Sequence, residues 1–222
     1  MDFTRVFDNA MPLLLNGLGL TVLVSVAGII LGLLLGLIIC FMDRSKVAVL
    51  RGIAKVYVWC VRGTPMMVQA LLIFFAFPQL IQLFDKGFTI DQVTAGIITL
   101  TLNAGAYMSE IFRGAIAAVD VGQIEASRSL GLTNRTTMFK VVLPQAFKIC
   151  APSLVNQFII TIKDSSLLSV IGLSELLNQA KAFAGSTFVY FPTYITVAAF
   201  YLIILSVLMI ISKRVEKRLR HE

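Results

Sequence analysis

The sequence predicts an all-α integral membrane protein with five transmembrane helices, its N-terminus outside and its C-terminus in the cytoplasm. Hydrophobic residues make up 58% of the 222 residues and charged residues only 14%, whereas a soluble domain carries about 25% charged residues. Several apolar runs approach or exceed the roughly 20 residues that a helix needs to cross a bilayer. No linker separates parts of the chain, so we predict one transmembrane domain over residues 1–222.

Five apolar segments are candidate spans, at residues 13–42, 65–84, 93–111, 147–162 and 192–212. The first is longer than the hydrocarbon core requires, so we expect it to tilt. Thr64 and Pro65 form a good helix start for the second, and Pro78 should kink that helix. The fourth is short and polar, so protein rather than lipid should surround it.

The distribution of basic residues sets the orientation, because cytoplasmic loops of membrane proteins are enriched in Lys and Arg. With the N-terminus outside, only Arg5, Lys86, Lys163 and Lys181 of the 19 basic residues lie outside. The remaining ones fall at 44–62, 113–148 and 213–220. The polar segment 122–146 is therefore predicted to be cytoplasmic.

Two further patterns predict local packing. Gly28, Gly32 and Gly36 are spaced by four, which gives one helix face that another helix can approach closely. Between residues 165 and 190 there is no clean span, so we expect a short helix near 173–183 that folds back over the outer face. It would help form an outer gate and receive a partner, or act only as a lid.

The cytoplasmic segment 122–146 has the pattern of two short helices joined by a sharp turn. Glu125 is predicted near the start of the first, where a carboxylate favours the helix dipole. Gly131 suits a left-handed C-terminal cap. Thr133 or Asn134 would cap the second helix, which Leu143-Pro144 should end. The apolar edge that results would face a partner or, alternatively, the lipid interface; it comprises Ala126, Leu130, Leu132 and Phe139.

The spacing of this segment resembles the EAA loop of permease subunits from binding-protein-dependent ABC importers. Ser127 replaces the second alanine of that motif and Val141 the usual isoleucine. The resemblance implies that the loop docks into a cleft on a partner ATPase. The coupling residues that it implies are Glu125, Ala126, Ser127, Gly131, Leu143 and Pro144.

Four longer runs resemble the polar amino-acid branch of the same family. They are Arg62-Gly63-Thr64-Pro65 with Gln69, the run from Tyr107 to Gly114, the run from Gly122 to Ala126, and the run from Lys163 to Gly172. The resemblance implies a type I ABC importer-like permease of a prokaryotic plasma membrane that works by alternating access. It also implies a second permease subunit, P-loop ATPase subunits that bind ATP and Mg, and an extracytoplasmic substrate-binding protein.

The fourth span carries the clearest candidate substrate path. Gln157, Thr161 and Asp164 fall at i, i+4 and i+7 and share one helix face. Polar groups inside a bilayer often mark a substrate path; the alternative is that Asp164 marks the water interface and Gln157 bridges helices. One carboxylate beside a neutral amide suits a zwitterionic, polar amino acid. The full candidate set is Gln69, Gln157, Thr161, Asp164 and Ser165.

Two other side-chain features have open alternatives. Gln69 would face the path or satisfy a neighbouring helix. Glu110 and Arg113 form an i,i+3 pair at the cytoplasmic end of the third span, as a structural ion pair or as part of a gate.

Several chemistries find no support in the sequence. It contains no G-x-x-x-x-G-K-[ST] phosphate loop, so we predict that the chain is not an enzyme and that no cofactor binds to it. No metal-ligand cluster or CxxC pair is present, and the net charge of +7 is explained by topology rather than by nucleic acid. Alternatives to an amino-acid importer are an importer of another small polar or sulfur-containing solute, an ion-coupled secondary transporter, and a structural membrane subunit without transport.

Overall fold

The computed structural model describes residues 3–220, with side chains as far as residue 214, and all regular structure in this part of the chain is helical. The basic side chains at 217–220 and His221 therefore lie outside the described side chains. The prediction of an all-α fold is confirmed. The helices, in chain order, are α1 (Phe3–Asp43), α2 (Ala48–Arg62), α3 (Met66–Ile81), α4 (Gln92–Ala117), α5 (Val121–Ser129), α6 (Asn134–Ile171), α7 (Leu176–Thr187) and α8 (Tyr190–Arg220).

Three helical stretches are long and apolar enough to cross a membrane, namely α1, α6 and Tyr190–Arg214 of α8. The pair α2 and α3 passes the same test together, but its axis bends by 107°. Helix α4 has the length of a span, 26 residues, but not the apolarity, because it packs between α1 and α6 and carries buried polar residues such as Asn103. Four of the predicted segments lie within α1, α4, α6 and α8, and the remaining one, 65–84, extends slightly beyond both ends of α3.

The glycine face of α1 packs directly against α4. A Cβ added to Gly32 would lie 2.9 Å from the Cβ of Ala104, and one added to Gly36 would lie 2.9 Å from the Cβ of Met108. Real Cβ atoms do not approach so closely, so these glycines let the two backbones come together. The predicted close approach of another helix is confirmed.

The bend between α2 and α3 differs from the predicted helix start. Pro65 has extended backbone angles (φ −63°, ψ 135°) and stands immediately before α3, while the Thr64 hydroxyl donates to the Cys60 carbonyl at 2.8 Å. Thr64 therefore satisfies a carbonyl at the end of α2 rather than capping α3. The following proline, Pro78, comes just after a π-helical turn, Leu72–Ala76, whose wider backbone accommodates the missing N–H.

Helix α7 confirms the short helix expected between the last two spans. It packs on α1 and α8 through Leu176, Ala180 and Phe183, which share a core with Val6, Ala10 and Leu14 of α1. A left-handed Gly172 (φ +76°) turns the chain from α6 into it. Because α7 is held by two spans, it is a fixed part of this end of the bundle.

Candidate functional site

The first helix of the cytoplasmic loop, α5, begins earlier than predicted. Its cap is Asp120, whose Oδ1 accepts a hydrogen bond from the Gly122 N–H at 2.6 Å. Glu125 consequently lies in the middle of α5 and is exposed. The prediction that Glu125 sits near the helix start was wrong, since the carboxylate at the positive end of the dipole is that of Asp120.

The turn after α5 has the predicted left-handed glycine. Gly131 has φ +80°, its N–H bonds to the Arg128 carbonyl at 2.9 Å, and the Leu132 N–H bonds to the Ser127 carbonyl at 3.2 Å. This pair of bonds is a Schellman cap. Thr133 then caps α6 by accepting from the Thr136 N–H at 3.2 Å, so of the two predicted caps the threonine is used.

Ser127 joins the two arms of the loop. Its side chain is 5% exposed, its hydroxyl donates to the Ile124 carbonyl at 2.8 Å, and it lies 3.0 Å from the Thr137 hydroxyl at the start of α6. Among the predicted coupling residues, Ser127 is therefore internal to the loop, whereas Glu125 and Ala126 are exposed.

The prediction that Leu143-Pro144 ends the second loop helix was wrong. Helix α6 continues through these residues and into the apolar part of the chain, because a π-helical turn, Met138–Val142, precedes Pro144 and absorbs its missing N–H. The loop arm and the membrane part of α6 are one continuous helix. A force on the loop therefore acts directly on the helix that carries Gln157 and Asp164.

The outer surface of the loop is apolar with basic flanks. Most of the predicted edge is exposed: Leu130 is 82% exposed, Phe139 is 58% exposed and Ala126 is exposed, whereas Leu132 is half-buried. An open groove of about 330 Å³ runs beside Phe139, and Arg135, Thr136 and Lys140 complete its lining. This surface offers both apolar contact and positive charge to a protein partner.

The polar face of α6 is present in the predicted register. Gln157 and Thr161 are buried and Asp164 is half-buried. The Thr161 hydroxyl donates to the Gln157 carbonyl at 2.9 Å, but among the described residues the Gln157 carboxamide forms no hydrogen bond. Gln157 as a whole is 5% exposed, but its amide atoms are not fully enclosed, so a donor and an acceptor are free for a ligand.

Ser165 and Gln69 have structural partners instead. The Ser165 hydroxyl is fully buried and donates to the Ile162 carbonyl at 2.7 Å. The Gln69 amide donates to the Val61 carbonyl at 2.7 Å and the Thr64 carbonyl at 3.0 Å, and its oxygen accepts from Asn103 of α4 at 3.4 Å. Because these hydrogen bonds join α3 to the end of α2 and to α4, the geometry favours the structural alternative for Gln69. Its side chain stabilises the 107° bend.

A cluster at the cytoplasmic end of α4 joins motif residues that are distant in the sequence. Arg113 bonds Glu110 through two contacts of 2.9 and 2.7 Å, and the end of α2 adds Arg62, 3.3 Å from the same carboxylate. The Arg62 guanidinium also lies over the Tyr107 ring, 5.3 Å from its centre. The predicted pair is thus part of a three-residue network that joins α2 to α4. The i,i+3 spacing predicts the contact between Glu110 and Arg113, but no spacing in the chain predicts that of Arg62.

Sequence reasoning missed one buried carboxylate, Glu175. It caps α7 by accepting from the Leu177 N–H at 2.8 Å and the Asn178 N–H at 2.7 Å, and Tyr201 of α8 donates to it at 3.4 Å. Burial outweighs these bonds and raises the pKa of Glu175 to about 7. The only local signal was an acidic residue at the start of the predicted short helix.

The helix bundle has a polar face on α6, and the same helix continues into the folded segment 122–146. This arrangement is typical of the membrane subunit of a transporter. The family described as binding-protein-dependent transport system inner membrane component matches residues 28–221, and the chain belongs to this family. The chain is therefore the membrane component of such a transport system, as the sequence predicted, and the ATPase activity belongs to a separate subunit.

Individual relatives cover nearly the whole chain. The chain is 36% identical to the arginine transport system permease protein ArtQ of Bacillus subtilis strain 168 over 99% of this chain and 98% of that protein. It is 39% identical to the glutamine transport system permease protein GlnP of Escherichia coli strain K12 over 99% and 98%. It is 38% identical to the L-cystine transport system permease protein TcyB of Bacillus subtilis over 94% and 87%.

Solved structures show the same fold. The crystal structure of an amino acid ABC transporter with histidines has a chain that superposes with a TM-score of 0.91 at 37% identity, covering 98% of this chain and 99% of that one. The inward-facing MetNI methionine ABC transporter superposes with a TM-score of 0.73 at 21% identity over 96% and 98%. The type I ABC permease-like fold predicted from the sequence is therefore confirmed.

Proposed function

We propose that this chain is the transmembrane subunit of an ATP-driven importer for a polar, zwitterionic amino acid. The observation that carries the proposal is the position of Gln157. The residue is 5% exposed and its amide is free for a ligand; it shares a face of α6 with Thr161 and Asp164, and the same helix runs without a break into the cytoplasmic loop. Relatives of similar identity are named for arginine, glutamine and cystine, so the cargo must be argued from these side chains.

The chemistry of this face favours a neutral amino acid over a cationic one. Asp164 is the one carboxylate on the face and can pair with an α-ammonium group, while Gln157 can both donate to and accept from a polar side chain. A strongly cationic cargo would need a second carboxylate. A sulfur-containing or other small polar solute is the next candidate, since the cystine permease is as similar to this chain as the glutamine permease.

The proposed assembly places this chain in the plasma membrane of a prokaryote with five spans, α1, α3, α4, α6 and α8, and with its N-terminus outside. A second permease subunit completes the path, two P-loop ATPases bind ATP and Mg at the cytoplasmic side, and an extracytoplasmic binding protein delivers the substrate. The basic residues at 44–62, 113–148 and 213–220 support this orientation, because it places them on the cytoplasmic side.

In the proposed cycle the loop transmits motion. When ATP closes the ATPase pair, the exposed edge at Ala126, Leu130 and Phe139 moves with its docking cleft. Because α6 is continuous through Pro144, its outer half moves as well, and the path opens outward. ATP hydrolysis then restores the inward-facing arrangement, and substrate is released into the cytoplasm.

The test is ATP-driven uptake in liposomes that contain the chain with its ATPase and with its binding protein added outside. We expect Gln157→Leu and Asp164→Ala to lower uptake and to change the order of preference among neutral, cationic and sulfur-containing amino acids. Asn156→Leu is the matched control, because Asn156 is the adjacent amide on α6 and is exposed. Unchanged rate and preference in both variants would refute the assigned path.

The same liposomes separate the other classes. Uptake that follows an ion gradient and does not require ATP would establish a secondary transporter. If the assembly hydrolyses ATP but no amino acid accumulates, the chain is a structural subunit.

A further inference from the structure

A cavity of about 410 Å³ lies where the cytoplasmic end of α1 meets α2 and α4. Its apolar wall comes from Ile39, Ala54, Val58 and Trp59, and charged side chains from all three helices complete it. None of its lining residues belongs to the polar face of α6, and the proposed transport cycle gives it no role.

Two of the charged groups in this cavity form no hydrogen bond or ion pair among the described residues, although Arg113 lies near enough to Asp43 to feel its charge. Oδ1 of Asp43 is buried and forms no hydrogen bond, and in the described part of the chain Lys55 forms no ion pair. By contrast, Glu110 and Arg113 in the same wall satisfy each other at 2.7 Å. Buried polar atoms without partners are rare because they lose hydration without compensation. The cavity thus presents one carboxylate oxygen and one ammonium group that are not paired with each other.

The neighbouring surface of α2 indicates the depth of the cavity relative to a membrane. On a helical wheel Arg51, Lys55 and Arg62 fall on one side. Val49, Ile53 and Val56 fall on the opposite side and are 69%, 52% and 60% exposed. A helix with a basic face and an exposed apolar face lies in the plane of the membrane interface. The 107° bend to α3 is consistent with such a helix meeting a span.

Trp59 connects the helix surface to the cavity. It lines the cavity and is also 76% exposed, and tryptophan is enriched at the level of lipid headgroups. With the proposed orientation, on which this step rests, the cavity opens at the headgroup level of the inner leaflet.

We propose that this cavity binds the headgroup of an ethanolamine phospholipid. The lipid phosphate would pair with Lys55, and the ammonium group would donate to the free Oδ1 of Asp43. A free amino acid carries the same two charges, but the exposed Trp59 and the apolar face of α2 favour a ligand with attached acyl chains. Choline lipids have the same net charge and lack N–H donors, so the Asp43 contact predicts discrimination between the two headgroups.

The experiment is native mass spectrometry of the full-length chain in detergent, with phosphatidylethanolamine or phosphatidylcholine of identical acyl chains added back after delipidation. We expect preferential retention of the ethanolamine lipid. Asp43→Asn should lower that preference roughly tenfold, the effect of one hydrogen bond to a charged group. Lys55→Gln should weaken binding of both lipids, because both carry the phosphate.

Two controls keep the result interpretable. Lys46→Gln removes an exposed cation of the same cytoplasmic segment outside the cavity and should leave retention unchanged. Lys55 is exposed, so Lys55→Gln tests the site even if Asp43→Asn fails to fold.

Equal retention of the two lipids by the native chain would overturn the proposal, as would displacement of the lipid by a free amino acid at millimolar concentration. The measurement needs neither ATPase nor transport, so its failure is distinguishable from failure of the proposed transport function.

Discussion

The hydroxyl group of Ser127 lies 3.0 Å from that of Thr137, and this contact fixes the angle between the two helices of the cytoplasmic loop. Both side chains are buried, Ser127 at 5% and Thr137 at 3% exposure. The position of the exposed apolar edge, Ala126, Leu130 and Phe139, therefore depends on two buried residues that do not belong to it.

Replacement of Ser127 should separate size from hydrogen bonding. Ser127→Ala removes two hydrogen bonds, about 1 kcal/mol of loop stability each, and should still carry the ATPase through purification. Ser127→Leu adds bulk between the helices and should lose it. Co-purification of the ATPase with each tagged variant is the measurement; loss of the ATPase from the alanine variant alone would show that the hydroxyl acts otherwise.

Gly131 should be sensitive to backbone conformation rather than to bulk. An added Cβ would meet no atom within 4 Å, so a clash cannot explain an effect there. The left-handed φ of +80° costs a β-branched residue on the order of 1–2 kcal/mol, whereas asparagine tolerates it. We expect Gly131→Val to reduce ATPase-coupled uptake and Gly131→Asn to retain it. Equal loss in both would point to contact with the partner instead.

The glycine face of α1 offers a stability test. Gly32→Val would force a side chain into Ala104, which would lie 2.9 Å from the new Cβ, and overpacking of this kind costs typically 1–3 kcal/mol. Gly19→Val on the same helix meets nothing within 4 Å. The melting temperature in detergent should fall for the first variant and stay near that of the native chain for the second. A similar fall in both would mean that helix flexibility, not the contact with α4, is responsible.

Gln69→Leu should destabilise the bend between α2 and α3. The change removes the donor to the Val61 and Thr64 carbonyls, at about 0.5–1.5 kcal/mol for each hydrogen bond. Gln82→Leu removes a single exposed bond, to the Phe88 carbonyl at 2.8 Å, and serves as the control. Thermal unfolding of both variants is the measurement; if Gln69→Leu unfolds like the native protein but transports poorly, the side chain belongs to the path after all.

Glu175 should make stability depend on pH. Its folded pKa of about 7 exceeds the value near 4.3 of an unfolded chain, so the folded state holds the proton more tightly. The stability that this provides is complete below about pH 4 and is lost as pH rises through 7, on the order of 3 kcal/mol. Melting temperatures between pH 5 and 8 should fall more steeply for the native chain than for Glu175→Gln. Parallel curves would show that Glu175 does not titrate in this range.

The loop illustrates which features follow from local rules. The left-handed turn at Gly131 and the cap at Thr133 depend on the conformational preferences of single residues, and both were predictable. The continuation of α6 past Pro144 was not predictable, because a π-helical turn compensates for the missing N–H of the proline. Burial of Val142 and Ala146 in the core stabilises that turn. Helix α2 was similarly missed, since its basic residues were interpreted only as topology signals.

The sequence by itself determined the helical class and the small-residue face of α1, and it predicted an orientation from its basic residues and a coupling role for the segment 122–146. These depend on composition, periodicity and spacing, which are properties of neighbouring positions in the chain. Only the tertiary structure decided that Gln69 braces a bend, that Arg62 joins Glu110, and that Asp43 and Lys55 share a cavity. Those relations arise between groups on different helices, and their energies depend on distance and burial, which a linear sequence does not contain.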